Sequence, residues 1–392
     1  MSQLLQRNTA LNSFTCAGLT LPGKETLAPF LEALAENPEN SIQELSFDYC
    51  GVQDERFALA LTAFTEKASL CRLRHLSLIN LGITKKAAAL LLTGLAKSGS
   101  FTEQLVSLDV SHNPFGLDAV QPLADLLSKL HALQCCKLAN LSVSLELILS
   151  GLAAGSQQLR EIDLSANRLT PECMDAFGAI MARSPKLETV QLARTRSPPA
   201  AFASLLNAIS RRSGETDLFL DLSHCELGTA EAKVLGETLP TIPKLHTLFL
   251  NHNEFDHSDR AIAQVFEGVA QCAHLKKLEA RRVITAKMPS ATLRRIALQP
   301  LLRHLADATR AQLVTLDLSQ NVLKSEACLL LDSLWMNQSL RSLNVSGVQY
   351  GDRGALALGK LLQTNRTLQT ISCDDNGISV SGLSGLIAGL IR

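Results

Sequence analysis

Three histidines occupy the same position in a sequence phrase that recurs along the chain. Their residue type and spacing raise the question of metal binding. His112, His224 and His252 stand in SHN, SHC and NHN, and the last two belong to consecutive copies of the phrase. If consecutive copies form neighbouring strands, those two imidazoles lie about 5 Å apart, close enough to share a metal ion. A metal site needs further ligands, and none stands at a suitable spacing. The pattern favours solvated or turn-supporting histidines, and we expect neither a metal nor a cofactor.

Four aspartates share another slot, in LDVS, IDLS and two copies of LDLS: Asp109, Asp163, Asp221 and Asp317. Paired carboxylates can act as general acid and base. These four belong to the fourth, sixth, eighth and eleventh copies of the phrase, so no two are neighbours, and hydrogen bonds to neighbouring strand residues explain them better. The chain also lacks G-x-S-x-G, a glycine-rich phosphate loop and an evident Cys–His pair. The sequence therefore indicates a protein that is not an enzyme, with no catalytic residues.

The amino-acid composition limits the cellular compartment and the classes of partner that we expect. The chain has 37 Lys and Arg residues and 37 Asp and Glu residues, so it has no net positive charge that would attract nucleic acid. The ten cysteines form no C-x-x-C, and Cys135 adjoins Cys136, which is typical of buried thiols in a reducing compartment. The N-terminal MSQLLQRNTALNSF lacks the pattern of a signal peptide, and no run of about 18 apolar residues follows. We expect a cytoplasmic protein.

The recurring phrase, seen clearly in LVTLDLSQNVL (residues 313–323), is the element that must position these side chains. Its copies are 26 to 32 residues apart, except for one interval of 38 between Leu275 and Leu313. Such a period is typical of stacked repeats. Thirteen copies begin at Leu11, Ile42, Leu73, Leu105, Leu133, Leu159, Leu187, Asp217, Leu245, Leu275, Leu313, Leu340 and Leu368.

Each copy predicts a short strand followed by a turn that is held by one polar side chain. L-x-L alternation buries one face of a strand, and the residue three past the second Leu turns the chain inward. When that residue is Asn, we expect its amide to bind backbone groups of its own turn and of the next coil. The residues of this structural turn ladder that we single out are Asn113, Asn167, Cys225, Asn253, Asn321 and Asn376. Asn and other residues nearly alternate at the slot, which is typical of the long, ribonuclease-inhibitor-like repeat.

The second half of each repeat predicts a helix. Thr170, Pro171 and Glu172 form a helix start, and Ala327, Leu330, Leu331 and Leu334 line one helical face. A strand and a helix in about 29 residues cannot bury their apolar faces alone, so copies must stack.

We therefore predict the α/β fold class, as a right-handed leucine-rich-repeat solenoid, a ribonuclease-inhibitor-like horseshoe with a parallel concave sheet and convex helices. Residues 1–392 form one domain of about thirteen repeats, with a lengthened repeat at about 275–312. The chain begins with LLQRNTAL, which resembles the end of a helix, and stops within GLIAGLIR. We expect a fragment of a longer protein.

The lengthened repeat is the one clearly basic region, and its cations face few acids in the sequence. A solvated loop and helix would explain them. A docking patch for an acidic partner or a lipid headgroup would explain them as well. The residues of this candidate partner-binding patch are Lys276, Lys277, Arg281, Arg282, Lys287, Arg294 and Arg295.

The amino-acid sequence of the repeats resembles that of the leucine-rich repeat domain of the CARMIL family, the capping-protein, actin-nucleator and myosin-I linkers. The resemblance rests on FLDLSHCELGTAEAKVLGETL (219–239), then LFLNHNEF, then the lengthened repeat, then a repeat containing Gly351, Asp352, Gly354 and Ala355, and it covers nearly the whole chain. It implies a non-enzymatic scaffold of an actin-cytoskeleton regulator at the cell cortex, with protein partners among actin-cortex components. In such relatives a pleckstrin-like domain precedes the repeats and a tail that binds capping protein follows. Contact with a membrane would then need parts absent from this chain.

Two alternatives stay open. VSHNPFGLDAVQPLADLLSKL (110–130) is similar to a Ran-type GTPase-activating protein, which would need an arginine such as Arg56, Arg72 or Arg74, although no acidic tail is present. A recognition module like ribonuclease inhibitor or an innate immune receptor is the other alternative. Ribonuclease inhibitor is rich in Trp, whereas this chain has only Trp335, which we place on the helix side.

Overall fold

The computed structural model of the chain describes residues 7–19, 27–37, 39–52, 55–67 and 72–390. The first residues of LLQRNTAL and the last two of GLIAGLIR lie outside these ranges. The chain divides into two compact units. Unit 1 comprises Met1–Gln191, Thr195–Ala201 and Arg211–Thr216, and unit 2 comprises Leu192–Arg194, Phe202–Ser210 and Asp217–Arg392.

Short parallel strands are the inner layer of every repeat. In the described ranges, thirteen strands follow one another in sequence order in one sheet, one strand for each copy of the phrase. This confirms the predicted strand layer. The strands are β1 Ser13–Thr15, β2 Glu44–Ser46, β3 His75–Ser77, β4 Ser107–Asp109, β5 Cys135–Lys137, β6 Glu161–Asp163, β7 Thr189–Gln191, β8 Leu218–Asp221, β9 Leu245–Phe249, β10 Lys277–Glu279, β11 Thr315–Asp317, β12 Ser342–Asn344 and β13 Thr370–Ser372.

Helices form the outer layer and connect the strands. They are α1 Ala28–Ala35, α2 Glu55–Glu66, α3 Lys85–Leu95, α4 Gly99–Gln104, α5 Val120–Lys129, α6 Glu146–Gly155, α7 Met174–Arg183, α8 Pro199–Ser210, α9 Thr229–Thr238, α10 Asp259–Gln271, α11 Ala291–Ala306, α12 Glu326–Ser333, α13 Gly351–Thr364 and α14 Val380–Leu390. Single 3₁₀ turns occur at Leu117–Ala119, Pro171–Cys173, Leu239–Thr241 and Phe255–His257. Within the described part of the chain, no helix is long and apolar enough to span a membrane.

Register is what aligns equivalent side chains in successive repeats. In unit 1, Leu45 pairs with Leu76, and Leu76 with Leu108. In unit 2, Leu278 pairs with both Leu248 and Leu316. These central leucines are buried, whereas most residues on either side of them are partly exposed on the opposite sheet face. Each repeat therefore adds one layer to an apolar interior between strands and helices.

Glycines allow neighbouring helices to approach closely. In unit 2, a Cβ on Gly236 of α9 would lie 2.5 Å from the carbonyl oxygen of Gln264 in α10, and a Cβ on Gly268 of α10 would collide with the carbonyl oxygen of Gly236. Both positions therefore require a residue without a side chain, because backbone atoms cannot move aside as a flexible side chain can.

The lengthened repeat uses its additional residues in a loop and a long helix. After β10, residues 280–290 form the loop, and α11 then runs for 16 residues. The Ser290 hydroxyl accepts a hydrogen bond from the Thr292 N–H and caps the start of α11. The inner face of this helix contains the apolar residues Ala297, Leu298, Leu301 and Leu305.

Candidate interaction surface

The buried asparagines of the turn ladder connect each turn to a neighbouring repeat. In unit 1, Asn113 Nδ2 donates to the Val110 carbonyl of its own turn at 2.9 Å and to the Leu78 carbonyl at 2.7 Å, and its Oδ1 accepts from the Leu81 N–H at 2.9 Å. Asn167 binds Leu138, Leu141 and Leu164 in the same manner. Leu78 and Leu138 belong to the preceding repeats. The expectation that these amides bind the next coil was therefore wrong, and each binds the previous coil.

The ladder continues in unit 2 with the same geometry. Asn253 binds the Leu222 and Leu250 carbonyls and the Cys225 N–H, and Asn321 and Asn376 bind their preceding repeats likewise. Cys225 itself uses its thiol, whose Sγ lies 3.1 Å from the Leu192 carbonyl oxygen. Because the ladder is buried, these residues hold the turns in place and are not available to a ligand.

The residue before each ladder position has a left-handed backbone, which directs its side chain out of the turn. The φ angles are 61° at His112, 58° at His224 and 59° at His252. The His224 and His252 rings stack with their centroids 4.1 Å apart and their planes 11° from parallel. This is shorter than the separation expected from strand spacing. Within the described ranges, no cluster of three or more His, Cys, Asp or Glu side chains is arranged to hold a metal ion.

Burial and nearby cations lower the pKa of both stacked histidines. Partial burial lowers the pKa of His224 first, Arg194 lowers it further, and Asp221 opposes the shift. The pKa of His252 is lowered by burial and then by His224, Arg282, Arg281 and Arg194. Since burial and then the positive charges disfavour protonation, both rings favour the neutral form.

The four recurring aspartates fasten their own turns. The side chains of Asp109, Asp163, Asp221 and Asp317 each accept a hydrogen bond from the backbone N–H two residues later, at 2.8 to 3.0 Å. Burial raises the pKa of Asp109, the largest of several influences on that carboxyl. Each aspartate therefore accepts a hydrogen bond within its own turn, whereas the sequence had predicted hydrogen bonds to neighbouring strand residues. Asp317 does both, because it also binds Arg281 and Asn344 of the adjacent repeats.

Ion pairs cover the sheet face of unit 2 around Glu279. The Glu279 carboxylate binds Lys277 Nζ at 3.0 Å and Arg281 Nη2 at 3.1 Å, and Arg281 Nε binds Asp317 at 2.9 Å. The expectation that the cations of this repeat face few acids was therefore wrong, since acids from β10 and β11 meet them in space. Lys287 also lies 3.8 Å from Glu254. The network fixes the positions of long side chains that would otherwise move freely.

Two partly exposed aromatic rings lie beside this network, and neither was predicted as a site residue. Phe219 of β8 and Phe249 of β9 meet edge to face with centroids 4.9 Å apart. Lys277 Nζ lies 4.8 Å from the centroid of Phe249. The signal was present in LFLD and LHTLF, where the alternation places both rings on the sheet face that is opposite to the buried leucines.

Not all residues of the predicted basic patch lie on one surface. Arg294 is buried and pairs with Glu326 at 3.1 Å, so its inclusion was wrong. Arg295 is exposed on α11 in the helix layer, and Lys276 is partly exposed immediately before β10. Arg282 and Lys287 line a cavity of about 420 Å³, together with Glu254, Thr285, Ala286, Gln320, Val322 and Gly347.

The residues of the two alternatives occupy different layers. Arg56 lies on α2 and pairs with Glu32 at 3.2 Å, whereas Arg72 and Arg74 are exposed just before β3. Trp335 follows α12, where its side chain is exposed in the helix layer as expected.

Comparison with known proteins agrees with this repeat geometry. No family model matches the chain. An internalin, InlF, from Listeria monocytogenes aligns over 98% of this chain and 86% of its own with a TM-score of 0.50 and 16% identity, which shows the fold. The parallel strand and outer helix that recur along the chain, together with the turns that asparagines hold in several repeats, define a leucine-rich-repeat solenoid, and the predicted fold class is confirmed.

The homologues of the chain at about 30% identity over most of its length are CARMIL proteins. Protein CARMIL of Dictyostelium discoideum is 30% identical over 306 residues, which are 76% of this chain and 28% of the relative. Capping protein, Arp2/3 and myosin-I linker protein 3 of Rattus norvegicus is 29% identical over 426 residues, covering 100% of this chain and 30% of the relative. The resemblance found in the sequence is confirmed. The chain spans less than a third of the length of these curated relatives.

Proposed function

We propose that the chain is the protein-binding repeat domain of an actin-cytoskeleton regulator and acts as a scaffold without catalysis. Its CARMIL relatives support this proposal, because one of them is named for linking capping protein, Arp2/3 and myosin-I. The same three proteins are therefore the partners to test. The proposed place of action is the cytoplasmic side of the cell cortex, where actin regulators assemble.

The observation that carries the proposal is the sheet face of unit 2 around Phe219 and Phe249. Partly exposed aromatic rings that are held in a fixed geometry are typical anchors of protein interfaces. The surrounding charges are paired with one another, so the face combines an apolar centre with an ordered polar surround. The basic edge at Lys277, Arg281 and Arg282 extends this proposed binding face.

Direct binding between purified proteins tests the proposal. Capping protein, the Arp2/3 complex and a myosin-I are each immobilised, and binding of the chain is measured by biolayer interferometry. The double variant Phe219→Ala, Phe249→Ala is expected to weaken binding by about tenfold or more, since each truncation removes an interface anchor. Trp335→Ala, which removes an exposed aromatic ring from the helix layer, is the matched control and should bind like the unmodified chain.

A second face variant and an enzymatic assay complete the test. Arg281→Glu with Arg282→Glu reverses the charge at the basic edge and is expected to weaken the same interaction. Lack of binding to all three partners, or equal binding by the Phe variant and the unmodified chain, would contradict the proposal. Stimulated GTP hydrolysis by a small GTPase would instead support the GTPase-activating alternative, with Arg56, Arg72 and Arg74 as the residues to change.

A further inference from the structure

Four successive repeats of unit 2 present a basic or imidazole side chain at the left-handed position of the turn. These residues, the cationic row, are Arg194, His224, His252 and Arg282, with φ angles of 59°, 58°, 59° and 51°. Besides Gly, the residues Asn, Asp and His adopt this backbone more readily than others, so the two arginines of the row occupy the costlier conformation. At a strand spacing of about 4.8 Å the row is about 14 Å long.

The cationic row has no carboxylate partners of its own. Among the described residues, no ion pair involves Arg194 or Arg282, although the adjacent Lys277, Arg281 and Lys287 are all paired. Both guanidinium groups are exposed. The stacked histidines have none either, and Asp221 is the one acidic group that acts on His224. The row therefore keeps a positive potential on a face where other cations are neutralised.

The acidic residues beside the row limit the shape of an anionic ligand. Asp221, Glu279 and Asp317 lie in β8, β10 and β11, one or two residues before the turns. A broad anionic surface, such as a membrane or a nucleic acid duplex, would bring its charges against these carboxylates. A narrow chain that lies along the turns would contact the row and avoid these three carboxylates. An extended peptide covers about 14 Å with four or five residues, which matches the length of the row.

We propose that the cationic row binds an acidic peptide segment of a partner protein, and that the two histidines take up protons when it binds. The inference rests on the proposed scaffold function and specifies the chemistry of the partner. Carboxylates of the peptide supply the counter-charges that the row lacks. At one end of the row, the cavity lined by Arg282, Lys287 and Gln320 accepts a further carboxylate. Glu254 also lines this cavity, and it is already paired with Lys287 and His257.

Proton uptake by His224 and His252 follows from the charges around their stacked rings. Arg194, Arg281 and Arg282 disfavour imidazolium at His252, and only Asp221 opposes this effect, at His224. A bound carboxylate raises the pKa of both rings towards or above their ordinary value. The peptide therefore binds more tightly as the pH falls through the pKa of the bound histidines. A peptide of glutamates stays ionised over the same range, because its own pKa is about 4.3.

Fluorescence anisotropy with a labelled peptide of about ten glutamates tests the inference in the whole chain at low salt. We expect binding to be about tenfold tighter at about pH 5.5 than at about pH 8. Arg194→Ala with Arg282→Ala is expected to remove most binding at both pH values. His224→Gln with His252→Gln should retain the binding seen at about pH 8 and lose the gain at low pH. Arg295→Ala, which removes an exposed arginine from α11, is the matched control.

Three results would overturn the inference. They are equal binding by the arginine variant and the unmodified chain, an undiminished gain at low pH in the histidine variant, and preferential binding of vesicles that contain phosphatidylserine or of a duplex RNA. Circular dichroism spectra of each variant show whether a loss reflects unfolding. If the unmodified chain does not bind the glutamate peptide but still binds an actin-cortex protein through Phe219 and Phe249, this inference fails and the scaffold proposal survives. If glutamate binding persists and no cortex protein binds, the scaffold proposal fails alone.

Discussion

Arg294 and Glu326 form a buried ion pair between α11 and α12, with Nε of the guanidinium 3.1 Å from Oε2 of the carboxylate. Their side chains are 4% and 9% exposed. The Arg294 guanidinium also donates to the Met288 and Pro289 carbonyls at 2.9 Å each. One side chain thus fastens the end of the long loop to its own helix and to the next repeat.

Arg294→Ala is expected to destabilise the chain strongly. It leaves the Glu326 carboxylate buried without its partner, which costs about 3–5 kcal/mol. The free energy of unfolding in urea measures the loss. Arg295→Ala, one residue further on the exposed side of α11, should change stability by no more than about 0.5 kcal/mol. If both variants lost the same stability, the burial of the pair would not be the cause. Arg294→Met with Glu326→Leu is expected to recover much of the loss, because no buried charge remains.

Asn253→Ala is expected to lower the free energy of unfolding by about 3 kcal/mol. The change leaves the Cys225 N–H and the Leu222 and Leu250 carbonyls without their partner in a fully buried place. Asn251→Ala is the matched control, because the same residue type two positions earlier is partly exposed to water. Denaturant titration of both variants should show a much smaller loss for Asn251. An equal loss would mean that the fully buried amide of Asn253 contributes no more than the partly exposed amide of Asn251.

Gly268→Ala is expected to destabilise unit 2, although alanine favours helices over glycine. The new methyl group collides with the Gly236 carbonyl, so α9 and α10 must separate. We expect a loss of about 1–3 kcal/mol in thermal or urea unfolding. Gly99→Ala is the control, since a Cβ there meets no atom within 4 Å. Its stability should stay the same or rise by up to about 1 kcal/mol.

Stability is expected to fall below about pH 6.5, the ordinary pKa of histidine, in part through His304. Burial lowers the pKa of His304 in the folded chain, and Asp307 only partly opposes this effect. The unfolded chain then binds the proton first as the pH decreases, so folding loses stability from the unfolded pKa down to the folded one. His304→Gln should flatten the curve of unfolding free energy against pH in this window. His274→Gln, at an exposed histidine, is the control, and an unchanged curve in His304→Gln would exclude this origin.

The sequence contained enough information for the repeat order, because each copy of the phrase had to bury the same leucines and turn at the same residue. It could not show the direction of the asparagine bonds, since both adjacent coils offer carbonyl groups. It also could not show that Arg281 meets Asp317, because Asp317 lies 36 residues away. Such pairs depend on strand register.

The prediction that Arg294 belongs to the basic patch was wrong for a different reason. Composition grouped it with Arg295 in the basic patch, but residues 294, 297, 298, 301 and 305 share the buried face of α11 at helical spacing. That periodicity was readable in the sequence and would have separated the two arginines. The partner on α12 was not readable, because Glu326 is 32 residues distant and belongs to a different helix.

The hydrogen bonds of the ladder asparagines point to the preceding coil, and this direction matches the order in which the coils are synthesised. Each ladder asparagine that leaves the ribosome finds its carbonyl and amide partners in its own turn and on a coil that has already been synthesised. Growth of the chain and growth of the folded stack can therefore proceed together, one coil after another. A cut from the C-terminal side leaves every remaining asparagine with its partners, whereas a cut from the N-terminal side removes the partners of the first asparagine that remains.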